Sequence, residues 1–375
     1  MIAEKTFYLY KSTKMLNLAI NGFLLMQRNM LKKSEVTRKT REKPILIDLA
    51  LQGGGAHGAY TWGVLDRLLE EPQLLIEGIS GTSAGSMNAA VLASGYASGG
   101  AEGARKALAA FWQRVSETAR FSFIQRGPWD ILSGNWTMDY SPSFITFEWA
   151  THIFSPYDLN PAALNPLRDI LTESIDFLAL IKSPIKLFIT ATNVKTGKGK
   201  VFRNKEITAD VLLASACLPM LFQAIEIDGE AYWDGGYTGN PTITPLVQEC
   251  ESSDTLLVQI NPVERPGTPK TGRDILNRLN EVAFNATLMK ELRMIALLRR
   301  TISASSGEGG RWAKMRIHRI TSDKMVKLGY SSKLNAEWPF LRMLFKEGRA
   351  TADRFLNENR KALNKYSTFD LDSFL

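Results

Sequence analysis

Residues 78–90 read GISGTSAGSMNAA, with one small hydroxyl residue set between two glycines. An apolar run, LLIEGIS (74–80), precedes it, and a stretch of small residues at helical spacing follows. Strand, then Gly81-Thr82-Ser83-Ala84-Gly85, then helix is the arrangement of a nucleophile elbow. Such a turn forces Ser83 into a strained backbone conformation and demands nearly side-chain-free neighbours two positions away on either side. It leaves Oγ exposed at a helix N-terminus, where the dipole favours negative charge. The plain alternative is a tight turn that only needs small residues.

Working outward, KPILIDLAL (43–51) is short, apolar and β-branched, and reads as a buried strand. AYTWGVLDRLLEE (59–71) carries Val64, Leu65, Leu68 and Leu69 at helical spacing and stops at Pro72. With LLIEGIS as a second strand and SAGSMNAAVLASGY (83–96) as a second helix, the order is β-α-β-α. That order predicts an α/β fold with a parallel sheet and helices on its faces. Further strands are expected at 185–194, after a turn at KVFRN, in MRIHRI (315–320) and in DTLLVQINP (254–262). A hairpin turning at Asp228-Gly229 is expected in FQAIEIDGEAYWDGGY, with helices at ITADVLLASACLP, 273–300 and 338–363. SASSGEGGR (303–311) reads as a flexible break. Residues 121–157 hold ten aromatics among Pro, Ser and Gly; they read as an irregular apolar segment, either a loop over the core or a wall for an apolar substrate.

GGGAHG (53–58) also ends a strand and opens a helix, so its N–H groups point outward without partners. Gly53, Gly54, Gly55 and Gly58 would line an oxyanion hole for the charge that develops when Ser83 attacks an ester carbonyl. Gly53, Gly55 and Gly58 equally satisfy a dinucleotide fingerprint, with Glu77 at the spacing of a ribose-binding acid, which would make the chain an oxidoreductase. A hydroxyl nucleophile needs a base. The order Ser83…Asp234…His318 matches an α/β-hydrolase triad. Alternatively Asp234, in YWDGGY, acts directly: burial in an apolar cleft would raise its pKa, and Gly235 and Gly236 would let it approach Oγ. Otherwise Asp234 simply ends a hairpin and His318 belongs to a strand.

The net charge of +8 is unevenly spread: +7 over residues 1–43, −9 over 44–263 and +7 over 264–320. An acidic central block argues against a nucleic-acid groove. The basic, amphipathic 273–300 helix suits an anionic membrane surface, or packs its apolar face on the core and shows arginine to solvent. MLNLAINGFLLM (15–26) is too short to span a bilayer and lacks a following cleavage site; it reads as an interfacial helix, a flexible tail or a start assigned upstream of Met30. Cys217 and Cys250 cannot form a disulfide framework or a four-ligand zinc site, and read as buried thiols in a reducing, cytoplasmic compartment. No metal or cofactor is expected.

GGGAHGAY, GTSAG and DGG, in that order and each at a strand end, resemble the patatin-like phospholipases. LLASACLPMLFQAIEIDGEAYWDGGYTGNP looks like that family's segment leading to its acid, and SPYDLNP and ITATNVKTGKGKVF resemble a bacterial branch of it. The resemblance covers residues 44–262. It implies a three-layer α/β/α fold with a mostly parallel central sheet; a basic, flexible tail (1–43) is expected before it and a mostly helical C-terminal extension (263–375), packed on the catalytic domain, after it. It also implies a Ser–Asp dyad without a catalytic histidine: Ser83 attacks, Asp234 takes the proton, the glycine loop holds the oxyanion and water releases the acyl group. Gly81, Gly85, Gly235 and Gly236 support these motifs. The implied substrate is a lipid or acyl ester, cleaved without calcium; peripheral membrane contact is the expectation raised by the basic helix and tail. His57 departs from the pattern, which usually has Lys or Arg there; charge assistance at that point would be weaker and pH-dependent.

Overall fold

A computed structural model describes residues 44–301 and 308–375. The N-terminal tail (1–43), with the helix expected at 15–26, lies outside them, as does most of the break expected at 303–311.

Eight strands form one sheet: β1 (Ile45–Leu51), β2 (Leu74–Gly81), β3 (Lys186–Asn193), β4 (Gly199–Arg203), β5 (Ile225–Ile227), β6 (Glu230–Asp234), β7 (Asp254–Val258) and β8 (Arg316–Ile320). The order is β5-β6-β3-β2-β1-β7-β8, with β4 also paired to β3. The run β3-β2-β1-β7-β8 is parallel, while β4, β5 and β6 are antiparallel. Along the chain, the helices begin with α1 (Gly58–Leu68), α2 (Ala84–Ala119), α3 (Pro128–Leu132), α4 (Pro142–Ile153), α5 (Pro156–Leu159) and α6 (Leu167–Ser174). They are followed by α7 (Phe177–Ile181), α8 (Ala209–Ser215), α9 (Thr244–Glu249), α10 (Gly272–Thr301), α11 (Glu308–Lys314) and α12 (Trp338–Asn359).

Alternation along the strands builds two cores. Ile47, Leu49 and Leu51 of β1, with Leu187 and Ile189 of β3, pack under α1, α2 and α12. Ala50, Phe188 and Leu257 point the other way, onto α9 and α10. Side chains at successive strand positions face opposite sides, so a strand buried on both faces reads as the unbroken apolar run seen at 45–51. The result is a three-layer α/β fold.

Two local expectations change. The segment from residue 121 is partly helical rather than irregular, because proline sits at the start of α3, α4 and α5. Ser141 and Ser155 cap the latter two through the N–H groups of Phe144 and Asp158. Ser-Pro looks like a loop, yet it is also a capped helix start, where the missing N–H costs nothing. The helix expected to end near Tyr96 runs on to Ala119 after a break at Gly99 and Gly100.

The basic helix α10 packs on the sheet. Glu281, Asn285, Leu288, Leu292 and Ile295 form its buried stripe, while Arg293, Arg299 and Arg300 are exposed. The chain beyond α10 is integral to the same compact unit. β8 extends the sheet beside β7, and α12 lies across α1 so closely that a Cβ on Gly348 would strike the Tyr60 carbonyl. Trp62 and Phe345 add a ring contact at 4.1 Å.

Candidate active site

Because β1, β2 and β7 run parallel, the segments leaving their C-terminal ends emerge on one edge of the sheet. Those segments are the glycine loop, the Ser83 elbow and the loop carrying Asn261. Asp234 ends β6 opposite Ala191 near the C-terminal end of β3, which brings it to the same edge.

Ser83 has φ 54° and ψ −123°, the strained left-handed conformation that the elbow requires. Gly85 lies directly on the Leu51 backbone carbonyl, and a Cβ on Gly81 would come 2.6 Å from the Gly85 carbonyl; side chains there would push the turn open. From Gly78 to Gly95 every residue is buried except Ser83. Its N–H donates to Ser215 Oγ at 3.0 Å, and its carbonyl accepts from the first turn of α2. The Thr82 hydroxyl donates to the Gly239 carbonyl at 2.7 Å, which stitches the elbow to the chain that follows Asp234.

The Asp234 side chain is buried, with the Ser83 side chain near enough to favour its ionised form. Its carboxylate also accepts the Gly236 N–H at 2.7 Å, and Gly235 sits against the Thr190 carbonyl. Its backbone is held on both sides: the N–H donates to the Cys217 carbonyl and the carbonyl accepts from Thr192 Oγ1, each at 2.8 Å. Burial pushes the Asp234 pKa up to about 7, against the opposing pull of the Gly236 N–H, Ser83 and the Lys333 charge. A carboxyl poised there is half ionised at neutral pH and can accept a proton that an ordinary aspartate would not.

The glycine loop lies against the elbow: a Cβ on Gly53 would come 2.7 Å from that of Ser83. Of the four glycines expected to offer N–H groups, two are spent on the fold. Gly53 donates to Asn240 Oδ1 at 2.7 Å, and Gly58 donates into the turn at Gly55 and Ala56. The N–H groups of Gly54 and Gly55, both at least partly open to solvent, have no acceptor among the described residues. Gly55 has φ 58° and lies on the Lys333 carbonyl, so only glycine fits there.

His57 does not face the cleft. It is buried on Ser332 Oγ at 2.8 Å, and burial first, then the charges of Lys333 and Arg265, hold its pKa well below the usual imidazole value. His318 is not brought to Ser83 either. Its ring nitrogens meet Asp254 at 2.9 Å and Thr368 at 3.0 Å, so the triad order in the sequence does not correspond to a triad in space. Glu77 is likewise engaged elsewhere, by Lys186 at 2.8 Å and by the N–H groups of Glu251 and Ser252. It stands beside Ile47 and Asp48 in the register of β1 and β2, several residues short of the glycine loop, which removes the acid that a dinucleotide site would need.

Sequence reasoning missed the residues that hold the loop. Asn240 and Asn261 grip the Gly53 N–H and carbonyl, each at 2.7 Å, and Lys333 Nζ donates to Asn261 Oδ1 at 2.7 Å. Both asparagines precede a proline near this edge of the sheet, a signal that reads locally as nothing more than a turn.

No curated protein matches the sequence. Twelve chains of solved structures do match. One is VipD from Legionella pneumophila, at 17% identity and a TM-score of 0.37, over 84% of this chain and 67% of that one. The family described as patatin-like phospholipase matches residues 49–247. That span is over half the chain and takes in the loop, the elbow and the buried carboxylate together, which makes this chain a member of the patatin-like phospholipase family.

Proposed function

We propose that the protein is a serine lipid acyl hydrolase that cleaves acyl esters with Ser83 as nucleophile and Asp234 as its base. The observation that carries this reading is the meeting at one edge of the sheet of a strained, solvent-reachable serine and a buried carboxyl of raised pKa whose ionised form that serine favours. Family membership supports a lipid-hydrolysing esterase as the broader class.

In the first step Ser83 Oγ bonds to the acyl carbon while its proton passes to Asp234. The carbonyl oxygen gains the negative charge, and the N–H groups of Gly54 and Gly55 stand ready to receive it; loss of one such donor typically costs about 10²–10³ in rate. The N-terminus of α2 adds a favourable dipole. The alcohol leaves with the proton from Asp234. Water then attacks the acyl-enzyme, Asp234 accepts its proton, and Ser83 recovers a proton as the acid departs. Labelling by a fluorophosphonate probe tests the assignment. The wild type and His318→Gln are expected to label, because His318 is committed to Asp254, and Ser83→Ala is expected not to. Labelling of Ser83→Ala at the wild-type rate would overturn it.

Peripheral membrane contact is part of the same reading. Leu132 is 78% exposed and Trp149 68%, within a run of exposed apolar residues that includes Phe121, Trp129, Tyr140 and Ile153. Asp139 ties this segment to the site edge, through Ser331 at 2.7 Å and through Arg273 of α10, also at 2.7 Å. α10 adds exposed Leu276, Leu279 and Val282. No helix among the described residues is long and apolar enough to cross a membrane. Burying a large apolar side chain contributes about 1.5–3 kcal/mol, so Leu132→Ser with Trp149→Ser is expected to weaken binding to phosphatidylcholine vesicles by at least about 100-fold. Turnover of a water-soluble short-chain ester is expected to stay near wild type. Sedimentation with vesicles and parallel ester assays check both halves, and unchanged vesicle binding would remove this part of the reading.

A further inference from the structure

The glycine loop has a cation beside it that comes from far along the chain. Lys333 sits in the short turn Ser331–Leu334, between β8 and α12. Its carbonyl backs Gly55 and its ammonium donates to Asn261 Oδ1 at 2.7 Å. The other end of that amide donates to the Gly53 carbonyl at 2.7 Å. The ammonium therefore fixes which way the Asn261 amide points, and that orientation fixes Gly53.

The charged neighbours decide what the ammonium faces. From the elements around it come Glu281 of α10, Arg265 of the chain after β7, Asp234 at the end of β6 and His57 beyond the glycine loop. The Tyr330 ring lies 6.0 Å from Nζ. Glu281 is already bound by Arg265 at 2.8–2.9 Å through Nε and by Arg278 at 3.3 Å. His57 is neutral. Asp234 is the remaining carboxylate, and among the described residues Lys333 is the cation that acts on it.

Resting on the dyad assignment, we propose that Lys333 is a positioning residue that supplies the positive charge beside the glycine loop, orienting the loop through Asn261 and Gly53 and favouring the ionised form of Asp234. The same charge favours the oxyanion that forms against the loop. Burial draws the Lys333 pKa down to about 8, with Glu281 opposing, Arg265 adding to the fall and Asp234 opposing again. The site then has a narrow working window. Asp234 must have lost its proton and Lys333 must have kept its own.

The pH profile of kcat/KM on a soluble p-nitrophenyl ester tests this, because it reports the groups of the free enzyme. The wild type is expected to give a bell, rising near pH 7 and falling above pH 8. In Lys333→Met the alkaline limb disappears, the acid limb moves up by about half a unit and the maximum drops roughly tenfold. Lys333→Arg keeps a cation at every pH used. Its acid limb is expected to stay in place, its alkaline limb to vanish, and its rate to exceed that of Lys333→Met. If Lys333→Met lowers the rate with both limbs unmoved, or Lys333→Arg behaves as Lys333→Met does, the charge is not what matters and the proposal fails. Should Lys333→Met not fold, the alkaline limb of Lys333→Arg decides alone, since a limb retained there belongs to another group. Turnover surviving in Ser83→Ala would instead reject the dyad itself, a different result.

Discussion

Ser83→Ala is expected to lower ester turnover by on the order of 10⁴-fold or more, the loss seen when a serine nucleophile is removed from a working site. Its melting temperature is expected to match the wild type, because the bonds Ser83 makes within the fold come from its backbone: the N–H to Ser215 and the carbonyl to α2. Ser83→Gly separates chemistry from strain. Holding a non-glycine residue at φ 54° and ψ −123° costs about 1–3 kcal/mol, and the extra freedom of glycine in the unfolded chain takes back roughly 0.5–1 kcal/mol. The glycine variant is therefore expected to be as inactive as the alanine variant and to melt roughly 1–3 °C higher. Calorimetry beside an ester assay distinguishes the two. A glycine variant that melts lower would mean that the turn stores no strain.

Asp234→Asn is expected to lower turnover by about 10²–10⁴-fold, the usual contribution of a positioned general base. Its effect on stability has the opposite sign. Burial raises the folded pKa of Asp234 from its ordinary 3.8 to about 7, so the folded protein holds this proton more tightly than the unfolded chain does. The stability that comes with the proton is complete below about pH 4 and is lost as the pH rises through 7. Asparagine does not ionise and escapes that loss. The variant is expected to match the wild type in denaturant midpoint near pH 4 and to exceed it above pH 7, by on the order of 4 kcal/mol in unfolding free energy. Equal midpoints at pH 8 would show that Asp234 is not held in a costly ionised state.

These two results concern the residues that were most legible in the sequence, for a physical reason. The elbow is a local device: its strand, its small neighbours and its helix lie within one short stretch, so pattern and spacing suffice. The strands were legible for the same reason, since double-sided burial leaves an unbroken apolar run. Asn240, Asn261 and Lys333 are different. Each acts on Gly53 or Gly55 from another part of the chain, and nothing in its own neighbourhood points there. His318 shows the converse failure. Its place in the order of residues suggested a triad, while the pairing of β7 with β8 sets it beside Asp254. The segment from residue 121 was misjudged at the level of local grammar, because serine followed by proline punctuates loops and begins helices alike.

The backing of Gly55 by Lys333 bears on the order in which the molecule is made. Translation delivers Ser83 and Asp234 long before the turn at 331–334 leaves the ribosome, and chains begin to fold from the N-terminal side during synthesis. Until that late turn arrives, Gly55 lacks the Lys333 carbonyl that backs it. Under the proposed dyad, a nascent chain would therefore gain its braced glycine loop only once residues 331–334 have been made and packed against Gly55.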